Sequence, residues 1–427
     1  MLHASLLGED WLAPLRGGFR DDLIVVDSST FGRLATGAAP APFDDLLSLA
    51  SGALLSLNST RPCDPTSTPL RYRGELASVH AALAAVMGVI GSLFERRETG
   101  RGQLIDVSGQ AAVAGIIATA IASWTYSGLQ AAHDGRRGVA PWGFYACCDG
   151  SVLVQVSEDV QYRGLLKVLG NPDWGGLEIF ATNALRIEVM DVLGPLVAEA
   201  IAPFSTDDFL DTCRAGGVAA ARIHTARDLL EWEQLAAHQY FQPISIGDSG
   251  SAIDVLVPTA PWRFHGTAPA VRTPPPTLDS GVEWPPVDRM PVGHVPVGAV
   301  GWAPLAGVKV VDLTWVWAGP YAAMQFAHLG AEVIKVESSV RLDVTRRLGP
   351  WADDEPAPDR SGYFNQYNQG KQSVTLDLKH PQGLELLEGL IREADIVIDN
   401  MRAGTLPAWV SPTRDCTRST RRSWRCR

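Results

Sequence analysis

Residues 307–337, "GVKVVDLTWVWAGPYAAMQFAHLGAEVIKVE", decide the fold class of this chain. The run "VKVVDL" is rich in β-branched residues and predicts a buried strand, and "EVIKVE" predicts a second one. Between them, a loop "TWVWAGP" leads into "YAAMQFAHLGA", whose spacing predicts a helix that ends near Gly330. Further along, "QSVTLDL", "HPQGLELLEGLIREA" and "DIVIDN" repeat the order strand, helix, strand. This alternation predicts an α/β fold with a doubly wound, mostly parallel, Rossmann-like sheet.

The sequence before the proline-rich stretch, residues 1–268, indicates an organisation different from that of the parallel sheet. "LIVV" at residues 23–26 predicts a short buried strand, and "PWGFYACCDGSVLVQVS" at residues 141–157 predicts a β-hairpin that turns at "CDGS". Helical patterns follow to about residue 240, and together they indicate a second, smaller α/β domain. From Pro269 to Pro304 there are nine prolines and few apolar runs, which is typical of a linker.

Two alanine-rich stretches, residues 78–94 and 111–129, are apolar enough to resemble membrane spans. Both contain polar residues and are rich in alanine rather than leucine. We therefore predict that they are buried helices of a soluble protein, without a membrane partner.

The composition limits the possible partners and the cellular setting. A net charge of -11 over 427 residues argues against nucleic acid as the main partner but allows an anionic ligand in a local basic pocket. The six cysteines lack metal-ligand spacing, so we expect reduced thiols, a cytoplasmic protein and no metal. The N-terminus has no apolar core long enough for a signal peptide.

Three features follow predicted strands, where a doubly wound sheet binds its ligands. The loop "TWVWAGP" precedes a helix whose first N–H groups favour anions, although no G-x-G-x-x-G is present. Lys379 could meet a phosphate, and Asn400 could bind a base or an amide. The alternatives are an ordinary turn, a solvated lysine and a capping asparagine.

Several of these segments together resemble one protein family. "LAGVKVVDLTWVWAGPYAAMQFAHLGAEVIKVE", "YFNQYNQGKQSVTLDLKHPQG" and "ADIVIDNMRAG" resemble the N-terminal part of the family III CoA-transferases, which include formyl-CoA transferase, carnitine CoA-transferase and α-methylacyl-CoA racemase. "LIVVDSSTFGR", "LASGALLSL" and "FERRETGRGQLIDVS" resemble the middle of the same fold. The order is unusual, because the middle and end of one module precede the beginning of another.

The resemblance implies a fragment of a fused two-module protein with five segments. These are residues 1–140, the middle of the first module's large domain; 141–268, a small α/β domain; 269–300, the linker; 301–407, the CoA-binding start of the second module; and 408–427, a tail. We further expect residues 301–407 to pack against residues 20–140 as a circularly permuted module, within the chain or between two chains, because an exposed half-sheet would leave its edges unpaired.

The resemblance also implies the substrates and the residues that bind them. Family members take an acyl-CoA and a carboxylic acid, without a metal, and form interlocked dimers, so we expect a homodimer. An arginine often found after the "IKVE" strand is Ser338 in this chain, and Arg341 is the nearest replacement. A glutamine of the formyl-CoA transferases is Trp317. The implied CoA-binding positions are Val316, Trp317, Arg341, Leu376, Lys379, Asn400 and Met401.

The family's nucleophile is an aspartate, which forms an acyl-aspartyl anhydride before CoA passes to the second acid. The position that the family spacing implies for it, counted back from "TGRG", is Ser78, and Glu75 lies three residues away. A serine would form a stable ester, so we do not expect normal transferase activity from this chain alone. Asp44 matches an acidic residue near the family's site, and its alternative role is to favour the start of a helix.

Three hypotheses follow for the function. The chain is a CoA-transferase relative whose partner supplies the aspartate, a non-catalytic acyl-CoA-binding or dimer-scaffolding subunit, or a truncated, inactive product. A racemase is disfavoured because "PFDD" has no histidine near Phe43, and a Ser78–His80 hydrolase lacks a G-x-S-x-G motif.

The last residues, from Trp409 onward, contain six arginines and one acidic residue without apolar periodicity. The loss of one base from a codon at Ala408 would turn the family's usual continuation into this sequence. We therefore expect a frameshifted, disordered tail rather than a nucleic-acid-binding arm.

Overall fold

The structure is a computed structural model, and it describes residues 22–33, 43–52, 74–129, 138–246, 252–264, 273, 275, 303–402, 404–406 and 424–425. The chain forms two compact units. Unit 1 combines residues 1–135 with residues 289–427, and unit 2 comprises residues 136–288. The stretch 269–300, predicted as a linker, lies outside the described residues except for Thr273 and Pro275.

In the described part of residues 1–135, here called the front segment, unit 1 has two parallel strands and four helices. In chain order these are β1 (Val25–Ser29), α1 (Asp45–Ser51), α2 (Leu76–Thr99), β2 (Leu104–Ser108), α3 (Gly109–Ile116) and α4 (Ala118–Ser127). β1 and β2 pair in register from Val25 opposite Leu104 to Ser29 opposite Ser108. The strand predicted at residues 23–26 is therefore confirmed, with its start shifted toward the C-terminus.

Helix α2 differs from the buried helix predicted for residues 78–94. Its buried side is made of small residues such as Ala77, Ala81 and Ala85, while Val79 and Leu83 are more than half exposed. Small side chains let the helix approach β2 closely, so the large side chains point away from the unit's core. α2 is also, within the described residues, the one helix that is long and apolar enough to span a membrane, a test that core helices pass as well.

Unit 2 contains a three-stranded antiparallel sheet, helices and a separate hairpin. The elements are β3 (Trp142–Ala146), β4 (Ser151–Gln155), α5 (Asp159–Val168), α6 (Asn183–Glu188), α7 (Met190–Ile201), α8 (Thr206–Gly216), β5 (Ala219–Arg222), α9 (Ala226–Glu231), α10 (Glu233–Ala237), β6 (Phe241–Ile246) and β7 (Ile253–Pro258). β3 and β4 form the predicted hairpin, and β5 pairs with β4.

The core of unit 2 surrounds one buried cation. The Arg186 guanidinium donates to the carbonyls of Ala140 and Phe180 and to Asp159, and it lies 4.3 Å from the centre of the Tyr162 ring. Because these contacts are hydrogen-bond acceptors and an aromatic face, they compensate the charge where it is buried. These contacts account for Arg186 as a structural residue.

The back segment of unit 1 is the predicted parallel α/β fold. Its elements are β8 (Lys309–Asp312), α11 (Ala318–His328), β9 (Glu332–Glu337), α12 (Gly362–Tyr367), β10 (Gln372–Thr375), α13 (Pro381–Glu393), β11 (Ile396–Ile398) and β12 (Trp424–Arg425). The strands are all parallel and lie in the order β10-β9-β8-β11-β12. The chain therefore winds one way from β8 through β9 to β10 and returns to the other side of β8 with β11.

The tail was expected to be disordered, and two of its residues do not follow that expectation. Trp424 and Arg425 pair with Ile396 and Val397 at the edge of the sheet. An edge strand offers unpaired backbone groups to any nearby segment, whatever its sequence. The rest of the predicted tail, residues 408–423 and 426–427, lies outside the described residues.

The front and back segments pack together within unit 1. The Asn365 side chain donates to the Tyr126 hydroxyl over 3.1 Å, and the Ser127 hydroxyl donates to the carbonyl of Trp351. A Cβ at Gly362 would lie 3.0 Å from the Tyr126 ring, so glycine permits this close approach of α12 to α4. The expected packing of the two segments thus occurs within one chain, although in the described residues β1 and β2 form a sheet separate from that of β8–β12.

Candidate functional site

The most distinctive position in the sheet of unit 1 is the switch point between β8 and β11. The connections after these neighbouring strands lead in opposite directions along the sheet. Such a divergence opens a crevice at the carboxyl ends of the strands, which is where open α/β sheets bind ligands. The loop from Leu313 to Trp317 follows β8 at this point, and Asn400 follows β11. The sequence prediction placed its candidate ligand-binding residues at this edge.

Asn400 holds the loop across the switch point with both ends of its side-chain amide. The Trp315 N–H donates to Asn400 Oδ1 over 2.9 Å, and Asn400 Nδ2 donates to the Trp315 carbonyl over 2.8 Å. This paired arrangement fixes the position of Trp315 relative to β11. The Asn400 side chain, which was predicted to bind a base or an amide of a ligand, is therefore already hydrogen-bonded to the backbone of Trp315. Its role in the structure is to hold the loop in place.

Removing this clamp should release the loop. We expect Asn400→Ala to increase amide hydrogen exchange at Trp315 and Val316 about tenfold or more, because two hydrogen bonds of about 1 kcal/mol each are lost. Asp399→Ala is the matched control, since its side chain accepts from the Met401 N–H on the same turn. If the Trp315 amide exchanged at the same rate in the wild type and in Asn400→Ala, the two hydrogen bonds of Asn400 would not be what holds the loop.

Val316 has a strained backbone at the centre of the loop. Its φ is 69°, which a β-branched residue rarely adopts. The buried carboxylate of Asp343 holds it there by accepting from the Val316 N–H over 3.1 Å, while its other oxygen accepts from the N–H and hydroxyl of Thr345. The Val316 side chain is 40% exposed as a result, so it faces solvent at the crevice.

Trp317 continues the loop into an aromatic cluster with Tyr321, Tyr363 and Tyr367. The ring centroids of Trp317 and Tyr363 are 5.6 Å apart with an interplanar angle of 30°, yet Trp317 is 43% exposed. Burial raises the pKa of Tyr363 above its ordinary value, so this hydroxyl is neutral at physiological pH. Trp317 thus offers an exposed aromatic surface beside the first N–H groups of α11, which lack carbonyl partners within the helix.

The loop also depends on a close approach to α11. A Cβ at Gly319 would lie 2.3 Å from Cβ of Thr314, so only glycine fits there. Because the helix can begin so close to β8, its N-terminus faces the carboxyl edge of the sheet. This geometry favours an anionic ligand at that edge.

Beneath the loop lies a buried charge cluster of Asp312, Lys335 and Lys371. Lys371 Nζ donates to Asp312 Oδ2 over 2.8 Å and to the oxygens of Pro320 and Asn368, each over 2.9 Å. Lys335 Nζ donates to the Thr314 carbonyl over 2.7 Å. Burial lowers the pKa of Lys371, and the opposite charge of Asp312 counteracts this effect. The cluster therefore holds the backbone near the start of the loop, at Thr314, and in the first turn of α11, at Pro320.

The sequence prediction did not identify these lysines. Lys335 was treated as part of a predicted strand, and Lys371 lay only within a stretch quoted for its family resemblance. The sequence does place two lysines and one aspartate within or beside apolar strands. Because such residues are rarely buried unless they are paired, this pattern could have indicated a buried ion pair.

A second buried ion pair supports the end of β9. Arg346 donates to both carboxylate oxygens of Glu337 over 2.8 and 2.7 Å, and Ser373 donates to the same carboxylate. Burial raises the pKa of Glu337, but the hydrogen bonds and charge of Arg346 outweigh it, so the pKa lies below its ordinary value. The pair holds the segment that carries Asp343.

The remaining predicted binding residues lie around the crevice with different exposures. Arg341 is exposed, and its guanidinium lies 5.2 Å from the Trp315 ring centroid. Lys379 is exposed after β10, and Met401 is half-buried after Asn400. The side chain of Leu376 is buried in the core beside Val311 and Val336, so Leu376 can offer only its main chain to a ligand.

Ser78 lies in the front segment, at the first turn of α2. Its N–H and its hydroxyl both donate to Oδ1 of Asp45, over 2.8 and 3.1 Å. A carboxylate therefore touches Ser78, but it comes from α1, and the sequence prediction overlooked it. His80 Nδ1 lies 2.8 Å from the Leu76 carbonyl, so this nitrogen is engaged with the backbone of α2.

Asp44 has the structural role that was its alternative reading. It is the N-cap of α1 and accepts from the Leu47 N–H over 2.6 Å. Its own N–H donates to Thr30, which fixes the start of α1 against β1. Among the described residues, no group of His, Cys, Asp and Glu is arranged to hold a metal ion.

Comparison with known proteins was made at the level of family, sequence and fold. Residues 18–281 and 305–420 match the family model described as CoA-transferase family III. A probable CoA-transferase of Mycobacterium tuberculosis is 27% identical over 394 residues, covering 90% of this chain and 47% of that protein. The succinate–glutarate CoA-transferase of Agrobacterium fabrum is 43% identical over 103 residues, covering 23% of this chain and 25% of that protein.

The solved structures show the fold. A CaiB/BaiF family protein from Brucella suis matches with a TM-score of 0.51 and 23% sequence identity, over 61% of this chain and 66% of that chain. The chain spans about half the length of the Mycobacterium tuberculosis relative and a quarter of the Agrobacterium fabrum one.

Proposed function

The chain belongs to CoA-transferase family III, and we propose that it binds an acyl-CoA thioester at the carboxyl edge of the β8–β12 sheet. The observation that carries the proposal is the loop from Trp315 to Trp317. It lies at the topological switch point, it is exposed, and Asn400 and Asp343 hold it in a strained shape. Strain of this kind is maintained at ligand-binding sites, where it arranges the backbone before the ligand arrives.

The charges and rings around the loop fit the chemistry of CoA. Arg341 and Lys379 are exposed cations that can meet phosphates, and the N-terminus of α11 adds backbone N–H groups. The exposed surface of Trp317 can pack against a base or a thioester arm. Met401 would contribute apolar contact, and Leu376 a main-chain contact only.

For the reaction, we propose CoA transfer between carboxylic acids. The nucleophilic carboxylate would not come from position 78, where this chain has a serine, but from another residue. Ser78 has a hydroxyl where the family resemblance expects a carboxylate, and an ester on it would be too stable to pass an acyl group on. A partner protein from the same family that has the aspartate would supply it. The acyl donor and acceptor are an acyl-CoA and a carboxylic acid.

A second candidate function is an acyl-CoA-binding subunit without transfer activity. It is favoured by the contact between Ser78 and Asp45, because Oδ1 of Asp45 accepts two hydrogen bonds at the start of a helix. Such contacts stabilise the carboxylate and weaken it as a nucleophile. In this second function the chain binds acyl-CoA at the same site but does not transfer CoA.

Calorimetry with free CoA tests the binding site. We expect binding by the wild type and a loss of about tenfold in affinity for Arg341→Ala and for Lys379→Ala, because each removes one charge-assisted phosphate contact. Lys309→Ala, an exposed lysine at the opposite end of β8, is the matched control. If the wild type bound no CoA, the chain would be an inactive product.

Chemical trapping separates the two functions. The full chain is incubated with an acyl-CoA and hydroxylamine, and its peptides are searched by mass spectrometry for a hydroxamate. A hydroxamate together with CoA exchange would support transfer. CoA binding without a hydroxamate and without exchange would support the binding subunit instead.

A further inference from the structure

The aromatic cluster beside the crevice presents a supported ring surface to solvent. Trp317 lies against Tyr363 with ring centroids 5.6 Å apart and an interplanar angle of 30°, and Tyr367 lies 6.4 and 6.0 Å from these two rings. Tyr321 packs edge-on against Tyr367 at 6.2 Å. One face of the Trp317 indole is therefore covered, yet 43% of the residue is exposed. A ring held from behind loses little freedom when a ligand packs against its open side.

Helices of the front segment border this cluster. The Tyr321 hydroxyl lies 3.7 Å from the position that a Cβ would take at Gly115 on α3. The Tyr126 hydroxyl on α4 accepts from Asn365 over 3.1 Å, which holds α12 and its two tyrosines against α4. The cluster thus lies where the carboxyl edge of the sheet meets the front segment. A ligand group that reaches it has protein on both sides.

Charge divides the crevice into two ends. Arg341 follows β9 and Lys379 follows β10, so these exposed cations lie on the side of β8 that leads to β10, with Lys379 about 10 Å, or two strand spacings, away. None of the four cluster residues is cationic. An acyl-CoA has the same division, because its phosphates lie at the nucleotide end and its acyl group at the far end of a long uncharged arm. Phosphates bound by the cations therefore leave the acyl group for the aromatic end.

We propose that the acyl-CoA bound at this site carries an aromatic acyl group, and that Trp317 selects it by stacking. The inference rests on the proposed function, because it assigns an acyl class to the same CoA site. A flat π system can lie on the open face of the indole in an offset stack. The second carboxylate of a dicarboxylic acyl group finds no cation in the cluster and loses its hydration there, which disfavours it.

Calorimetry of the full chain with four thioesters tests the selection. Phenylacetyl-CoA should bind about tenfold more tightly than acetyl-CoA, because the ring adds apolar area and a stacked contact. Cyclohexylacetyl-CoA, with similar apolar area and no π face, should bind about threefold more weakly than phenylacetyl-CoA. Glutaryl-CoA should bind no more tightly than acetyl-CoA. Equal affinities for the phenylacetyl and cyclohexylacetyl thioesters, or tightest binding of glutaryl-CoA, would overturn the proposal.

Variants of Trp317 test its role through a ratio, the affinity for phenylacetyl-CoA divided by that for acetyl-CoA. Trp317→Ala and Trp317→Gln should each reduce this ratio from about ten to about one, and Trp317→Phe should give an intermediate value because a smaller ring still stacks. The ratio is taken within each variant, so a general loss of CoA binding cancels. Trp232→Ala in unit 2 is the matched control, since this indole is 42% exposed and also lies at 30° to an aromatic neighbour, His224.

The outcomes separate this inference from the proposed function. A ratio that stays near ten in Trp317→Ala and Trp317→Gln would refute the role of Trp317. A wild-type chain that binds free CoA but shows no preference among the thioesters would refute the aromatic acyl group and leave the CoA site standing. A wild-type chain that binds neither CoA nor any thioester would refute both.

Discussion

Replacing Asp312 by asparagine is expected to destabilise unit 1 by about 3–5 kcal/mol, the cost of leaving buried charges without their partner. The carboxylate is fully buried and accepts from Lys371 Nζ over 2.8 Å, with Lys335 Nζ 4.0 Å away. Asparagine can still accept from Thr314, but it neither compensates the ammonium groups nor accepts from Lys371 on its nitrogen side. The structure offers these lysines no other carboxylate within salt-bridge distance among the described residues.

The pH dependence distinguishes this cause from a general loss of packing. Burial already lowers the pKa of Lys371, and without the opposing charge of Asp312 it should fall further below the unfolded value of about 10.4. The unfolded state then binds more protons between the folded and unfolded pKa values, so stability rises with pH in that window. The difference between the variant and the wild type should therefore become smaller from pH 7 toward pH 10.

Hydrogen exchange of the β8 and β11 amides measures this effect in unit 1, while β4 reports on unit 2. Adding Lys371→Met to Asp312→Asn should recover more than half of the lost protection, because it removes one unpaired charge. Asp395→Asn is the matched control, since its carboxylate also accepts from β8, at the Lys309 N–H, but is partly exposed. A difference that stays constant with pH would mean that packing, rather than charge, is lost.

The sequence was sufficient to predict the parallel sheet, because "VKVVDL", "EVIKVE" and "DIVIDN" carry the apolar runs of buried strands. It also placed the loop and Asn400 at the carboxyl edge, since chain order alone brings the ends of β8 and β11 together. The partners of Asn400 could not be predicted. From the sequence, the Asn400 amide could equally have bonded a ligand. Only the three-dimensional structure shows that it bonds the backbone of Trp315 instead.

Helix α2 and Ser78 show where sequence patterns fail for physical reasons. Alanine-rich helices are usually buried, but the small residues of α2 form its buried side and the large ones are exposed. The carboxylate at Ser78 comes from Asp45, 33 residues earlier in the chain. Spacing within one motif cannot reveal a contact made by a different helix.

This contact leads to the second prediction, a gain of transfer activity. We expect Ser78→Asp combined with Asp45→Asn to form an acyl-aspartyl species and to exchange CoA at least about 100-fold faster than the wild type. This would recover a small part of the roughly 10⁶-fold effect that a nucleophile can carry. The introduced carboxylate would occupy the position that the family resemblance assigns to the nucleophile, at the start of α2.

Asp45→Asn is needed because two carboxylates in contact cannot both ionise easily. In Ser78→Asp alone, Asp45 would raise the pKa of one member of the pair and reduce the population of the reactive anion. The single variant should therefore be slower than the double variant, and the two rates should approach each other as pH rises. Rates of CoA exchange between pH 5 and pH 8, with hydroxylamine trapping to locate the acyl group, would measure this difference.

The variant Asp45→Asn alone decides between the two carboxylates. If the wild type forms no hydroxamate and Asp45→Asn forms none either, the site lacks a nucleophile and the double variant supplies it. If instead the wild type exchanges CoA and Asp45→Asn abolishes that exchange, then Asp45 is the nucleophile. The reactive carboxylate of this chain would then lie on α1, whereas the family resemblance assigns it to the start of α2. Ser78→Asn in the Asp45→Asn background is the matched control, because it has the same shape as the introduced aspartate and cannot form an anhydride.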